Sequence, residues 1–223
     1  MAGDVKRRYD GSRRLAATRA TRRAVVEAAQ ELFLAQGYPA TTMAQIAERS
    51  QTPPATLYRL FGSKRGVLKE LLDVAFGGDD EPVEFQHRPE IRAAFAETDP
   101  GTLLDALAHV LRQLMQRAGA LQHLLATSAV VDPEAAEMLE VTRTQRHAGQ
   151  SRIVEALARR DCLRPDLSQT EAADIIYTMM SPEVFRILTA ERGWSEDDYE
   201  SWLARTLRNQ LLPAPLPTPP PAK

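Results

Sequence analysis

The chain has 223 residues, of which 43% are hydrophobic and 26% are charged, a composition ordinary for a globular protein of one or two domains. Its single cysteine, Cys162, excludes an intramolecular disulfide, and no Cys/His cluster is present to hold a structural metal. The sequence contains no stretch of about eighteen apolar residues and no apolar run after the N-terminal charges, so we expect no membrane span, no signal peptide and a cytoplasmic location.

The net charge of −2 conceals an uneven distribution along the chain. Residues 1–75 contain 13 Lys and Arg against 7 Asp and Glu, whereas the remainder contains 15 against 23. Because residues 1–18 are basic and have few large apolar side chains, we expect them to form a flexible arm. Such an arm can contact DNA phosphates or the minor groove, or can be a solvated tail, and DNA is favoured for Arg19, Arg22 and Arg23.

The first two elements after the arm are predicted to be amphipathic helices. Apolar residues recur at intervals of three and four between Val25 and Ala35, and Gly37 ends this first helix. Thr42 is placed as the N-cap of the second helix, and Gln45 three residues later completes a capping box. The second helix is short and is predicted to end near Ser50.

A third helix is predicted from Pro53 to Phe61, with Thr52 as its cap, since the fixed φ of proline suits the first turn of a helix. It buries Leu57 and Phe61 and is otherwise rich in small and hydrogen-bonding side chains. Two short helices joined by a tight turn are typical of a helix-turn-helix, whose second helix enters the major groove of DNA.

The run from Gly37 to Leu68, above all Thr56–Lys64 (TLYRLFGSK), resembles the N-terminal domain of the TetR/AcrR family of transcriptional regulators. The resemblance implies an all-α homodimer with a three-helix DNA-binding domain, over residues 19–74, and a larger effector-binding and dimerisation domain, over residues 75–212. In that family the recognition helix and the second helix's cap touch DNA, and the lysine opening the fourth helix holds a phosphate. Together with the arm and the capping box, this assigns the DNA contacts to Arg22, Thr42, Gln45, Pro53, Pro54, Ala55, Thr56, Tyr58, Arg59 and Lys64.

The sequence departs from the family pattern at several positions in this domain. Gln51 stands where the family usually has a turn glycine, Leu60 replaces a common histidine and Arg65 replaces a common glutamate. Pro53 and Pro54 replace polar residues, so the family's side-chain hydrogen bonds cannot be made there. Base recognition is therefore expected from Thr56, Tyr58, Arg59, Gln45 and, by apolar contact alone as with a thymine methyl group, Ala55.

The rest of the chain is predicted to be helical, with no strand pattern. A short helix is expected over residues 90–97, Gly119 is expected to separate one helix from a segment over residues 121–131, and residues 213–223 form a proline-rich disordered tail, either a solvated terminus or a PxxP ligand. The helix starts are predicted at the capping residues Ser63, Asp99, Asp132, Ser168, Ser181 and Ser195.

The last two helices, residues 170–188 and 195–212, resemble the dimerisation helices of TetR-type regulators. By analogy they form a four-helix interface with their symmetry mates, and a two-fold dimer suits a palindromic operator. The residues predicted to form this interface are Ile176, Trp202, Leu203, Leu207 and Leu211.

A ligand pocket is predicted between the long helices of the second domain. Its candidate lining residues are Met115, His123, Met138, Tyr177, Met180 and Phe185. The same spacing is also typical of residues in a packed helical core, and that alternative stays open. No cofactor, catalytic residue or metal ligand is predicted.

These observations predict a sequence-specific DNA-binding transcriptional regulator, a repressor released from a palindromic operator by a small, mostly apolar ligand. A regulator without a small-molecule switch is an alternative. A helical enzyme is disfavoured because the chain has no Gly-rich phosphate loop, nucleophile elbow or paired histidines on a helix. A purely structural helical protein would explain neither the basic N-terminal third nor the Thr56–Lys64 run.

Overall fold

A computed structural model describes residues 2–79, 81 and 83–214, with the backbone alone for residues 2–14. The described residues contain helices and no β-strand, which confirms the predicted all-α fold. A 3₁₀ turn covers Phe85–His87 and a π-helical turn covers Ile187–Glu191. The α-helices are α1 (Ala2–Gln36), α2 (Met43–Arg49), α3 (Pro54–Phe61), α4 (Lys64–Gly77), α5 (Pro89–Ala96), α6 (Pro100–Ser128), α7 (Pro133–Arg159), α8 (Gln169–Met179), α9 (Pro182–Arg186) and α10 (Glu196–Leu211).

Helix α1 begins at Ala2, so the basic segment continues the first helix where a separate arm was expected. Residues 12–36 contain no Gly or Pro and are rich in Ala and Arg, which favour helix over a flexible conformation. The expected mobility of residues 1–18 stays a prediction. The predicted tail lies outside the described residues from position 215 onward.

Most predicted capping residues act as caps in the structure. Ser168 and Ser195 form capping boxes with Glu171 and Asp198, and the Ser181 hydroxyl accepts a hydrogen bond from the Val184 amide. Ser63 Oγ accepts from the Gly66 amide at 3.2 Å at the start of α4. Two further helix starts use carboxylates: Oδ2 of Asp99 accepts from the Thr102 amide at 2.7 Å, and Oδ1 of Asp132 accepts from the Ala135 amide at 3.0 Å. These local signals fix the starts of five of the helices after α4.

Gly119 does not interrupt α6, contrary to the sequence prediction. The buried stripe of Met115, Ala118 and Leu121 passes through this position without a change of phase, so the helix continues. A Cβ added at Gly119 would stand 3.6 Å from the ring of Phe185, an ordinary van der Waals distance, so α6 does not require a glycine at this position.

The chain divides into two compact units, of which the first is discontinuous in sequence. It comprises Met1–Ala75 and Ala120–Leu139, and the second comprises Phe76–Gly119 and Glu140–Lys223. Residues 120–139, assigned to the second domain from the sequence, therefore belong to the unit that contains the helix-turn-helix. The first unit's buried side chains include Val25, Phe33, Ile46, Leu57 and Leu68.

The second unit has an apolar core built from α5 to α10. Four of the five residues predicted to meet a partner subunit, Ile176, Leu203, Leu207 and Leu211, belong to this core and are 0% exposed. The structure corrects their assignment, because side chains buried completely within one chain present no surface to another. Sequence periodicity identified the apolar face of each helix, and the chain's own core covers that face.

Candidate DNA-binding surface

The turn between α1 and α2 is held by a short network of side-chain hydrogen bonds. Gly37 has a φ of +84°, and the buried Thr41 hydroxyl donates to the Gly37 carbonyl at 2.8 Å. Gln36 Nε2 donates to Thr41 Oγ1 at 3.1 Å and to Gln45 Oε1 at 3.2 Å. These bonds fix where α2 begins.

Thr42 is the N-cap of α2, as predicted, and Gln45 completes the capping box. The Thr42 amide donates to Gln45 Oε1 at 2.8 Å, and the Gln45 amide donates to Thr42 Oγ1 at 3.2 Å. Both side-chain oxygens are thereby engaged in the cap, so the two residues first of all set the geometry of α2. Their predicted contact with DNA stays a prediction.

The turn between α2 and α3 requires a left-handed residue, which is Gln51. Its φ is +52°, the region that the family's usual glycine enters without strain. Its amide donates to the Glu48 carbonyl at 3.1 Å, and the next amide, of Thr52, donates to Ala47 at 2.9 Å. The turn is therefore formed with strain at a non-glycine residue.

Helix α3 begins one residue later than predicted and has a different cap. Pro53 is the cap, with φ −56° and ψ 136°, and Pro54 is the first helical residue. A residue that precedes proline is driven from the helical region by the proline ring, and Pro53 precedes Pro54. Thr52 makes no cap; it is buried, and its hydroxyl donates to the Ser50 carbonyl at 3.3 Å.

Helix α3 has one buried and one exposed face. Leu57 and Phe61 are buried in the first unit, and Thr56 is partly covered. Arg59 has no hydrogen-bond or ion-pair partner within the described part of the chain. We call the exposed residues of the cap and the helix the outer face of α3: Pro53, Pro54, Ala55, Tyr58 and Arg59.

Two glycines shape the corner between α3 and α4. Gly62 ends α3 with a φ of +73°. A Cβ added at Gly66 would overlap the carbonyl oxygen of Phe61, so only glycine lets the first turn of α4 approach the end of α3 this closely. The corner places Lys64 and Arg65 directly after the outer face.

Lys64 binds the protein's own backbone. Its Nζ donates to the carbonyls of Tyr38 at 2.8 Å and Pro39 at 3.4 Å and lies 4.2 Å from the centre of the Tyr38 ring. Burial lowers the pKa of Lys64, opposed by the nearby carboxylates of Asp132 and Glu134. An ammonium has three hydrogens, so one stays available for the predicted phosphate contact while two hold the turn before α2.

Arg22, predicted to contact DNA, has partners within the first unit. It forms an ion pair with Glu70 of α4, donates to the Leu60 carbonyl at 3.1 Å and lies 5.1 Å from the centre of the Phe61 ring. Glu70 and Leu60 lie 48 and 38 residues from Arg22 along the chain, so no local sequence pattern indicates this role. Arg22 joins α1 to α3 and α4, and its contact with DNA stays a prediction.

The segment 120–139 approaches the same corner through its acidic residues. Arg65, which stands where the family commonly has glutamate, forms an ion pair with Glu137 of α7 at 2.8 Å. Burial raises the pKa of Tyr38 to about 12, and the charges of Asp132 and Glu134 act in the same direction.

The six residues predicted to line a pocket do not gather into one site within either unit. Met115, Met180 and Phe185 share the core of the second unit, whereas His123, which is exposed, and Met138 belong to the first. Tyr177 packs on Arg146, whose guanidinium carbon lies 4.0 Å from the centre of its ring.

A cavity of about 490 Å³ lies elsewhere in the second unit. Gly77, Gly78, Arg88 and Arg117 contribute to its lining, and none of the predicted pocket residues does. Arg88 is buried and forms an ion pair with Asp79 at 2.6 Å.

In the part of the chain that the structure describes, no group of three or more His, Cys, Asp or Glu is arranged to hold a metal ion. No helix within those residues has the length and apolar character needed to span a membrane.

A family model described as bacterial regulatory proteins, tetR family, matches residues 25–71. The chain is 32% identical over 92 residues to YvkB, an uncharacterized HTH-type transcriptional regulator of Bacillus subtilis (strain 168), covering 41% of this chain and 42% of that one. It is 51% identical over 49 residues to the HTH-type transcriptional regulator TcmR of Streptomyces glaucescens, covering 22% of each. The matched segments thus span less than half the length of these relatives.

Solved structures share the fold over most of the chain. NalD, the secondary repressor of the MexAB-OprM multidrug efflux pump in Pseudomonas aeruginosa, superposes with a TM-score of 0.65 at 18% identity, covering 87% of this chain and 98% of its own. SmeT, in a complex with triclosan, superposes with a TM-score of 0.67 at 15% identity, covering 92% and 99%. At these identities the likeness shows the fold alone.

Proposed function

Because the chain is a member of the TetR family of transcriptional regulators, we propose that it binds operator DNA through the outer face of α3 and controls transcription from that site. The observation that carries the proposal is the outer face itself. A short helix held by the helix-turn-helix geometry presents two side chains to solvent: Tyr58, which is 54% exposed, and Arg59, which has no hydrogen-bond or ion-pair partner among the described residues.

Selection of bound duplexes from a random pool, repeated at two salt concentrations, tests DNA binding directly. The proposal expects a defined motif whose enrichment survives the higher salt, because base contacts add to the phosphate contacts. Sequence-independent binding that disappears with salt would contradict it.

Arg59→Ala should weaken binding to the selected operator by about tenfold or more, since an arginine contacting a base typically contributes about 1–3 kcal/mol. Arg152→Ala is the matched control, because it removes the same charge from an exposed position on α7. Equal losses in the two variants would indicate that net charge, and not the outer face, determines affinity.

The proposal includes a homodimer on a palindromic operator, with an interface that keeps the predicted Trp202 and leaves out the four predicted residues that are buried in the core. Apolar surface stays exposed around the π-helical turn and the start of α10, where Ile187 is 41% and Trp194 36% exposed. Trp194 meets the half-buried Trp202 edge-on, with ring centres 6.1 Å apart. We propose that this aromatic patch, defined by Ile187, Trp194 and Trp202, meets its counterpart in the partner subunit.

We also propose that a small, mostly apolar effector releases the protein from its operator. The family fold supports this, as do SmeT, which forms a complex with triclosan, and NalD, which is a repressor. In the second unit the hydroxyl of Tyr199 is buried and has no hydrogen-bond partner among the residues that the structure describes, and the Tyr199 and Phe185 ring centres are 4.9 Å apart. A ligand with one polar group could satisfy that hydroxyl.

A regulator without a ligand switch is the remaining alternative. Screening compounds for release of the protein from its selected operator distinguishes the two functions. Release by an apolar compound that Tyr199→Phe weakens would support the switch, whereas an operator complex that no compound class releases would favour the alternative.

A further inference from the structure

We propose that the first turn of α3 recognises the 5-methyl group of thymine, so that each operator half-site carries a thymine packed against Pro53, Pro54 and Ala55. The inference rests on the proposed function, because it requires the outer face of α3 to enter the major groove. It adds a chemical identity for one base of the operator.

The cap and the first two residues of α3 carry no side-chain hydrogen-bond donor or acceptor. Pro53, Pro54 and Ala55 are consecutive, exposed and apolar. In a helix-turn-helix this N-terminal part of the second helix is the one that contacts base edges. Whatever base edge lies there can therefore make only apolar contact with these side chains.

The backbone of this turn is also poor in donors. Pro53 and Pro54 have no amide hydrogen, and the amides of Thr56 and Leu57 donate to the Pro53 carbonyl at 2.9 and 3.0 Å. Helix N-termini ordinarily offer several unpaired amides to a phosphate, but here only Ala55 keeps an amide outside these bonds. The turn is therefore poorly suited to bind a phosphate.

Desolvation then selects the base. A polar base edge pressed against these three residues would lose its water without gaining a hydrogen bond, which is unfavourable. Thymine is the base whose major-groove edge carries a methyl group, and burying that group is favourable. The proline rings are rigid and lose almost no side-chain entropy on contact, so they provide a preformed apolar surface.

The position of the thymine relative to the other contacts follows from helix geometry. Tyr58 lies four residues after Pro54, and Arg59 lies four residues after Ala55, so these two exposed hydrogen-bonding side chains stand about one turn later, about 6 Å along the helix. Base pairs are stacked about 3.4 Å apart. The thymine should therefore lie within about two base pairs of the pair that Arg59 contacts.

Replacing thymines by deoxyuridine tests the proposal, because the exchange removes the methyl group and keeps the hydrogen-bonding pattern. Each thymine of the selected operator is replaced in turn, and Kd is measured at fixed salt with the full-length protein. We expect one position per half-site at which the exchange weakens binding about fourfold, the loss expected for one buried methyl group. If specific binding persists and no position is sensitive, methyl recognition is wrong and the proposed function stands. If no specific operator is found, both fail.

Proline variants assign the effect to this turn. Pro54→Ala keeps a strong helix former at the first helical position, removes the ring and restores an amide hydrogen, so the deoxyuridine penalty should fall from about fourfold to below about twofold. Tyr58→Phe is the control, since it leaves the first turn intact and should keep the penalty. Pro53→Ala serves as a second variant if Pro54→Ala lowers the helix content seen by circular dichroism. An unchanged penalty in a folded proline variant would overturn the assignment.

Discussion

Gln51 occupies the turn between α2 and α3 at a φ of +52°, a conformation that strains an L-residue by roughly 1–2 kcal/mol. Asp161, just after α7, has the same φ. Aspartate tolerates this region better, because its short polar side chain bonds locally. The two positions therefore share a backbone conformation and differ in its cost.

Gln51→Gly should raise the free energy of unfolding by about 0.5–1 kcal/mol. The relief of strain exceeds the entropy that glycine adds to the unfolded chain, about 0.5–1 kcal/mol. Urea unfolding measures the change as a higher midpoint with an unchanged slope. Asp161→Gly should raise the free energy of unfolding by less than Gln51→Gly does. A larger increase at Asp161 would contradict this account.

Tyr38 makes stability depend on alkaline pH. Its pKa is about 12 in the folded protein, against 10.0 in the unfolded chain, so between these values the unfolded state releases the proton first. The stability from neutral Tyr38 is full below about pH 10 and is lost as pH rises towards 12, by about 1.4 kcal/mol per pH unit. The lowered pKa of Lys64 acts in the opposite direction and offsets part of this loss.

Tyr38→Phe should therefore flatten the decrease in unfolding free energy above about pH 10, as measured by urea titrations at several pH values. A residual decrease is expected from Tyr199, whose pKa burial also raises, and the double phenylalanine variant should remove most of it. A decrease as steep in the double variant as in the parent protein would show that other groups are responsible.

Among the elements, the corner between α3 and α4 is the most constrained by a missing side chain. Gly66→Ala should destabilise the protein by about 1–3 kcal/mol, the usual cost of overpacking, because the added Cβ would overlap the carbonyl oxygen of Phe61. Thermal unfolding followed by circular dichroism measures the loss. Since the corner positions Lys64 and Arg65, operator affinity should fall as well.

Gly149→Ala is the matched control for this prediction. Gly149 lies within α7, and a Cβ there would meet nothing within 4 Å, so alanine should stabilise the helix by about 0.5–1 kcal/mol. The two substitutions are chemically identical and should change the free energy of unfolding in opposite directions. The same sign in both would contradict the role of close approach at Gly66.

Among the elements, the features marked by a signal within a few residues could be predicted from the sequence. The caps at Thr42, Ser168 and Ser195 could be predicted because a capping box is complete within four residues. Helix α3 begins one residue later than predicted, because Pro53 precedes Pro54 and is thereby kept out of the helical conformation. The break predicted at Gly119 gave one glycine more weight than the apolar stripe of Met115, Ala118 and Leu121, which continues through α6.

For the whole molecule, the proposed aromatic patch predicts how the oligomeric state responds to substitution. Ile187→Glu combined with Trp194→Glu should shift the mass measured by light scattering from dimer toward monomer, because charges would be buried at the interface. Val131→Glu, at a 72% exposed apolar residue before α7, should leave the mass unchanged. A dimer that survives the double substitution would place the interface elsewhere. Leu203→Glu is unsuitable as a test, since a charge in the core would unfold the protein.

The buried side of α3, with Leu57 and Phe61, could be predicted from the sequence, and the partners of the neighbouring residues could not. The outer face of α3 follows from a local pattern, whereas the engagement of Arg22 with Glu70 and of Lys64 with the Tyr38 carbonyl depends on how the chain folds back. Four of the five predicted interface residues lie in the chain's own core for the same reason. Periodicity marks the apolar side of a helix, but only the tertiary structure shows whether the chain itself or a second subunit covers it.

The discontinuity of the first unit bears on how chimeric regulators should be assembled. A single crossover after residue 75 would transfer the helix-turn-helix without residues 120–139, which complete its compact unit and supply Glu137 to Arg65. The recipient would bring a foreign segment against Tyr38 and Lys64. Specificity should therefore be transplanted either as the outer face of α3 alone or with three crossovers, after residues 75, 119 and 139, so that both parts of the unit are exchanged together.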